Sequence, residues 1–131
     1  MIDRLKIWHL NEGYTPKIGG GEILLSHLAR VQKDQGHNVQ VVTNLLHNTL
    51  AYEEIDGVPI IRLPFYSIVN KRDLRSIKNL QSEMRNMVDT FQPDIIHLHS
   101  PRSVAFFFLR VAKKFYGASI YTAQDGTLPT T

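Results

Sequence analysis

The sequence predicts an α/β domain with a doubly wound, Rossmann-like parallel sheet. Short β-branched or apolar runs alternate with longer stretches of helical spacing. Glycine or proline punctuates most junctions between them. The 131 residues carry no internal repeat or linker, and they suffice for one hydrophobic core but not two.

Leu5-Lys6-Ile7-Trp8-His9-Leu10 is a short apolar run ended by Asn11-Glu12-Gly13, the pattern of a buried first strand. The loop Tyr14-Thr15-Pro16-Lys17-Ile18 leads to Gly19-Gly20-Gly21-Glu22. A helix follows, with Leu24, Leu28 and Val31 expected on its core face and Gly36 as its stop. Val39 to Thr43 is the second strand, reached by a right-handed crossover. Ile55-Asp56-Gly57-Val58 signals a tight hairpin turn. Val58 to Leu63 is the stronger strand beside it, and Pro59 predicts an edge position.

From Asp73 to Phe91, apolar residues at Leu74, Ile77, Leu80, Met84, Met87, Val88 and Phe91 trace one stripe of a long helix, which Pro93 ends. Asp94 to Leu98 is the fourth strand. Pro101 opens a helix to about Tyr116, Gly117 stops it, and Ala118 to Thr122 is the fifth strand. The expected strand order is third, second, first, fourth, fifth, with helices on both faces.

Composition narrows the function classes. There is no cysteine, which excludes disulfides and thiol chemistry. The net charge of +3 comes without aromatic residues interleaved among the basic ones, so nucleic acid is not an expected partner. The longest apolar run, Val104 to Leu109, is too short to span a bilayer, and the residues after Met1 lack a signal-peptide core. A cytoplasmic location is therefore expected.

In open parallel sheets, ligands bind beyond the carboxyl ends of the strands where strand order reverses. Here that crevice lies between the first and fourth strands. Three polar segments converge on it: Gly19-Gly20-Gly21-Glu22, His99-Ser100 and Gln124-Asp125. Glycines ahead of a helix let a phosphate or sugar hydroxyl approach free backbone N–H groups. The pattern is not G-x-G-x-x-G, Thr43 and Asn44 stand where a dinucleotide site has an acid, and no Lys-Ser/Thr follows the glycines. No cofactor is called for. His97 and His99 point to one face of their strand, with His9 on the neighbouring strand. No carboxylate or cysteine accompanies them, so the expectation is no metal, one histidine satisfied inside the sheet and the other beside the crevice.

Tyr14-x-Pro16-x-x-Gly19-Gly20-x-Glu22, Gly36-His37-x-Val39-x-Val41-Val42-Thr43, Asp56-Gly57-Val58 with Ile61-Arg62-Leu63-Pro64, and Phe91-x-Pro93-Asp94-Ile95-Ile96-His97-Leu98-His99-Ser100 together resemble the N-terminal half of a family 4 glycosyltransferase of the two-domain GT-B type. The resemblance implies an acceptor-binding domain, a nucleotide-sugar donor held mostly by a second domain, and metal-independent, configuration-retaining transfer. It places Gly19, Gly20, Gly21 and Glu22 at the ligand. Where the family usually has Thr-x-His-Asp, this sequence has Thr122-Ala123-Gln124-Asp125, and Gln124 cannot carry a proton at neutral pH. The catalytic residues therefore stay unassigned.

The expectation is one incomplete N-terminal domain over residues 1–131, without the donor domain and inactive in isolation. The alternative is a non-catalytic binding or assembly module. Expected partners are a nucleotide sugar or sugar acceptor, a separate donor domain, and a second copy of the chain, joined two-fold either edge to edge along the fifth strand or by swapping the C-terminal tail. Lys71, Arg72, Arg75, Lys78 and Arg85 also offer an anionic membrane a peripheral contact, although an ordinary solvated helix face is the preferred reading.

Overall fold

A computed structural model describes residues 3–14, 20–99, 103–112 and 118–121. Its sheet has the order β3-β4-β2-β1-β5-β6. The strands are β1 (Lys6–Leu10), β2 (Asn38–Asn44), β3 (Tyr52–Ile55), β4 (Val58–Leu63), β5 (Ile95–Leu98) and β6 (Ala118–Tyr121). All neighbours pair in parallel except β3 and β4, which form an antiparallel hairpin. The predicted order of the five parallel strands is borne out, and strand order reverses at β1.

The hairpin turn is Asp56-Gly57, with φ of 53° and 79°. Two successive positive φ values give a turn whose twist matches that of paired strands. The edge position expected from Pro59 is overturned, because β3 lies outside β4. Pro59 is tolerated for a local reason. Pairing of β4 with β2 begins one residue later, at Val41 with Ile60. The N–H groups of alternate residues turn towards β3, as when Arg62 N–H donates to Ala51 O at 2.8 Å. The missing donor of Pro59 therefore falls on the β2 side, ahead of the ladder.

The helices divide between the two faces. α1 (Gly20–Asp34) covers one face alone; α2 (Phe65–Lys71), α3 (Leu74–Phe91) and α4 (Ser103–Ala112) share the other. α2 has no counterpart in the sequence expectation. Seven residues are too few for a periodic signal, and its anchor is one fully buried side chain, Phe65. α3 begins where the helical stretch was expected to start, with Asp73 as its N-cap. Asp73 Oδ1 accepts Arg75 N–H at 3.1 Å, and Oδ2 accepts the Ser76 hydroxyl at 2.8 Å.

α1 ends at Gly36, as expected. There φ is +98°, and His37 N–H reaches Gln32 O while Gly36 N–H reaches Lys33 O, the paired bonds of a glycine helix stop. Its core face is not the one expected. Leu25 and Ala29 are fully buried, whereas Leu24 is 53 % exposed. Apolar residues at 23, 24, 25, 28, 29 and 31 surround more than one stripe, and contact with Val39, Val41 and Ile60 selects the stripe carrying small Ala29.

Trp8, Leu10, Phe65, Met84, Ile96 and Phe107 form the main core between the sheet and α2–α4. Fully burying side chains of this size contributes about 1.5–3 kcal/mol each. Among the described residues, no helix is long and apolar enough to cross a membrane.

Candidate functional site

The α1 face of the sheet changes character along its strands. Its amino half is apolar: Ile7, Val39, Val41, Val58 and Ile60 pack under Leu25 and Ala29. Two residues further along each strand, the same face carries His9, Thr43 and Arg62, all buried. β5 adds His97 and, just past its end, His99. Polar side chains thus gather beneath α1 at the carboxyl ends of β1, β2, β4 and β5, the side on which open parallel sheets bind ligands.

The three imidazoles form one cluster. His9 and His97 are register partners on adjacent strands. The rings of His97 and His99 stack with centroids 3.9 Å apart. His9 Nδ1 and His99 Nε2 are 2.9 Å apart, and His9 Nε2 is 2.7 Å from Gln32 Oε1 on α1. An amide oxygen only accepts, so His9 Nε2 carries the hydrogen and its Nδ1 presents a lone pair to His99 Nε2–H. Burial lowers His9 to about 4, against a smaller upward pull from Gln32, and His97 nearby lowers it further. Burial, then the charges of His97 and His99's other neighbour His9, lower His99 to about 3. Burial also lowers His97. All three are neutral at pH 7.

Beside the cluster, Thr43 Oγ1 is buried without a hydrogen-bond partner. Arg62 Nη1 donates to Leu50 O at 2.9 Å and pairs with Glu53 of β3. Burial pushes the Tyr14 phenol up to about 12; the charge of Asp56 adds to the rise and that of Arg62 opposes it.

The loop after β1 is tied to α4. Glu12 Oε1 accepts the Ser103 hydroxyl at 2.6 Å, and Oε2 accepts Val104 N–H at 3.3 Å. A side chain from the first strand's loop thereby caps the helix that follows β5, across the point of strand reversal. Asn11 Nδ2 donates to Gly13 O at 2.6 Å, and His99 N–H donates to Leu10 O at 2.9 Å, so both strand ends are held together.

Of the expected site residues, Gly20 and Gly21 are the first two residues of α1 and Glu22 lies in its first turn. His99 joins the buried cluster rather than standing alone beside a crevice. Gly19, Ser100, Gln124 and Asp125 lie outside the described residues. The expectation of one satisfied histidine and one at the crevice gives way to three rings in contact. Glu12, Gln32 and Arg62 were not anticipated. The period of two along β4 foreshadows Arg62, but nothing in the sequence signals the 23-residue reach from His9 to Gln32.

Residues 18–125 match the family model described as Glycosyltransferase Family 4. Over 128 residues the chain is 31 % identical to an uncharacterized 42.6 kDa protein in the cps region of Klebsiella pneumoniae, with 86 % of this chain and 34 % of that protein covered. It therefore spans about a third of the length of this curated relative. Among solved structures, a glycosyltransferase from Rickettsia africae superposes with a TM-score of 0.66 at 15 % identity, covering 93 % of this chain and 30 % of the other. Sucrose-phosphate synthase from Thermosynechococcus elongatus gives 0.65 at 13 % identity, covering 90 % and 32 %. Likeness at these identities establishes the fold, which is that of one part of a GT-B glycosyltransferase.

Proposed function

This chain belongs to glycosyltransferase family 4, and we propose that it forms the acceptor-side portion of an enzyme moving a sugar from a nucleotide-sugar donor to an acceptor hydroxyl. The observation that supports the reading is that Gly20 and Gly21 open α1, the helix that covers the face of the sheet on which His9, Thr43 and Arg62 are buried. Unpaired N–H groups of a helix start suit an anionic diphosphate or a sugar hydroxyl. In the transfer, the acceptor oxygen bonds to the anomeric carbon as the bond from that carbon to the diphosphate oxygen breaks. The diphosphate leaves with the electron pair, and the hydroxyl proton departs to it or to water. Retention of configuration, work in the cytoplasm and a role in carbohydrate biosynthesis belong to the same reading.

Catalysis of this kind depends on holding donor and acceptor together, and orientation supplies much of the rate. The 131-residue chain alone is expected to transfer no sugar. The test uses radiolabelled UDP- and GDP-sugars with a bacterial membrane extract as acceptor source. The chain is assayed alone and fused to the remaining two-thirds of the Klebsiella relative. Transfer by the fusion only, reduced at least tenfold by Gly20→Val, supports the reading. Turnover by the chain alone, or a fusion indifferent to Gly20→Val, overturns it.

A further inference from the structure

We propose that His9, His97 and His99 form a binding site for one divalent transition-metal ion of the zinc class, joining β1 to β5 beneath α1. One ring nitrogen from each histidine lies within 4.8 Å of the others. Two imidazole nitrogens on a tetrahedral zinc ion, each about 2.0–2.1 Å from it, stand about 3.4 Å apart. The 2.9 Å pair of His9 and His99 must open by about half an ångström, and no pair has to close by more than about 1.4 Å.

One further feature sets this cluster apart from a chance gathering of histidines. Metal-bound imidazoles usually donate their second ring N–H to an oxygen, which fixes the tautomer and aims the lone pair. Gln32 Oε1 accepts such a bond from His9 at 2.7 Å, leaving His9 Nδ1 towards His99 Nε2.

No carboxylate or cysteine stands beside the three histidines in sequence. Three imidazoles are nevertheless a sufficient zinc set, with the fourth position left to water or a ligand oxygen. Imidazole nitrogen selects zinc, nickel, copper or cobalt over magnesium and calcium. Neutral ligands leave the ion's charge at +2, next to strand ends where the proposed function places an anionic ligand. The site does not depend on that function, because metal binding is measured without sugar transfer.

The experiment titrates tag-free, chelator-treated chain with Zn2+ by calorimetry, and with Co2+ by visible absorption, at pH 7.5. His27→Gln and His47→Gln serve as surface controls. One equivalent of Zn2+, a tetrahedral Co2+ spectrum and a Zn2+-dependent rise in Tm are expected. His97→Gln should weaken binding at least a hundredfold and Gln32→Leu about tenfold, with both controls unchanged. Gln32 lies on α1 outside the sheet, so its variant keeps the test decisive if His97→Gln fails to fold. Absence of stoichiometric binding, or affinity unchanged in His97→Gln or Gln32→Leu, overturns the site and leaves a hydrogen-bonded imidazole cluster. Loss of binding in the surface controls assigns it to adventitious histidines and overturns it equally.

Discussion

The two faces of the sheet are built from the same strands and use them differently. In β1, Trp8 and Leu10 enter the α2–α4 core while Ile7 and His9 face α1. The α2–α4 side closes around large apolar side chains from four strands and three helices. The α1 side is closed by a single helix and becomes polar towards the strand ends. A face that packs large side chains gains stability from area and tolerates little change in volume. A face with buried histidines, a buried arginine and an unpartnered hydroxyl gives up some of that stability, as functional sites commonly do. The contrast places stability on one side and chemistry on the other.

The strongest way to break this contrast is to empty the apolar side. Phe65→Ala removes a fully buried ring packed against Phe107 and is expected to cost about 3–5 kcal/mol or to leave the chain unfolded. Urea denaturation measures it, and a loss below about 1 kcal/mol would remove Phe65 from its place in the core.

Acid should act on the other side. His9 and His99 have folded pKa values below the unfolded value, so the unfolded chain binds protons first. Their contribution is complete above about pH 6.5 and is lost as pH falls towards about 4 and 3. At pH 5, with chelator present, each is expected to lower stability by about 2 kcal/mol relative to pH 7. His97, also lowered, acts in the same direction. Asp73, held down by its bonds to Ser76 and Arg75, acts only below the ordinary carboxylate range. Stability measured at pH 7 and pH 5 tests this, and a flat profile across that window would show that the rings are not buried together.

Smaller effects sharpen the contrast where the two sides meet. Glu12→Ala uncaps α4 and strands the Ser103 hydroxyl, with an expected cost of about 1–2 kcal/mol and faster amide exchange in the first turn of α4. Exchange unchanged there would mean that water replaces the carboxylate. Gly36→Ala has open space around the new methyl but forces it to a φ of +98°, so about 1 kcal/mol is expected from backbone strain alone. Thermal denaturation checks it, and an unchanged Tm would show that the end of α1 is not fixed over the polar face.

Chain order alone determined the succession of the strands and the three longer helices, the Asp56-Gly57 hairpin, the Asp73 start and the Gly36 stop. Each rests on residues near one another in sequence, where period, cap or positive φ acts locally. The choice of Leu25 and Ala29 over Leu24, the protected place of Pro59 inside the sheet, and α2 with its single anchor were decided by packing. So was the site's central feature: His9, Gln32 and His99 meet only because β1 and β5 are neighbours and α1 lies across them. Periodicity tells which face a side chain takes but not which distant side chain it meets there. That follows from strand order and from how closely a helix can approach, which are properties of the assembled sheet.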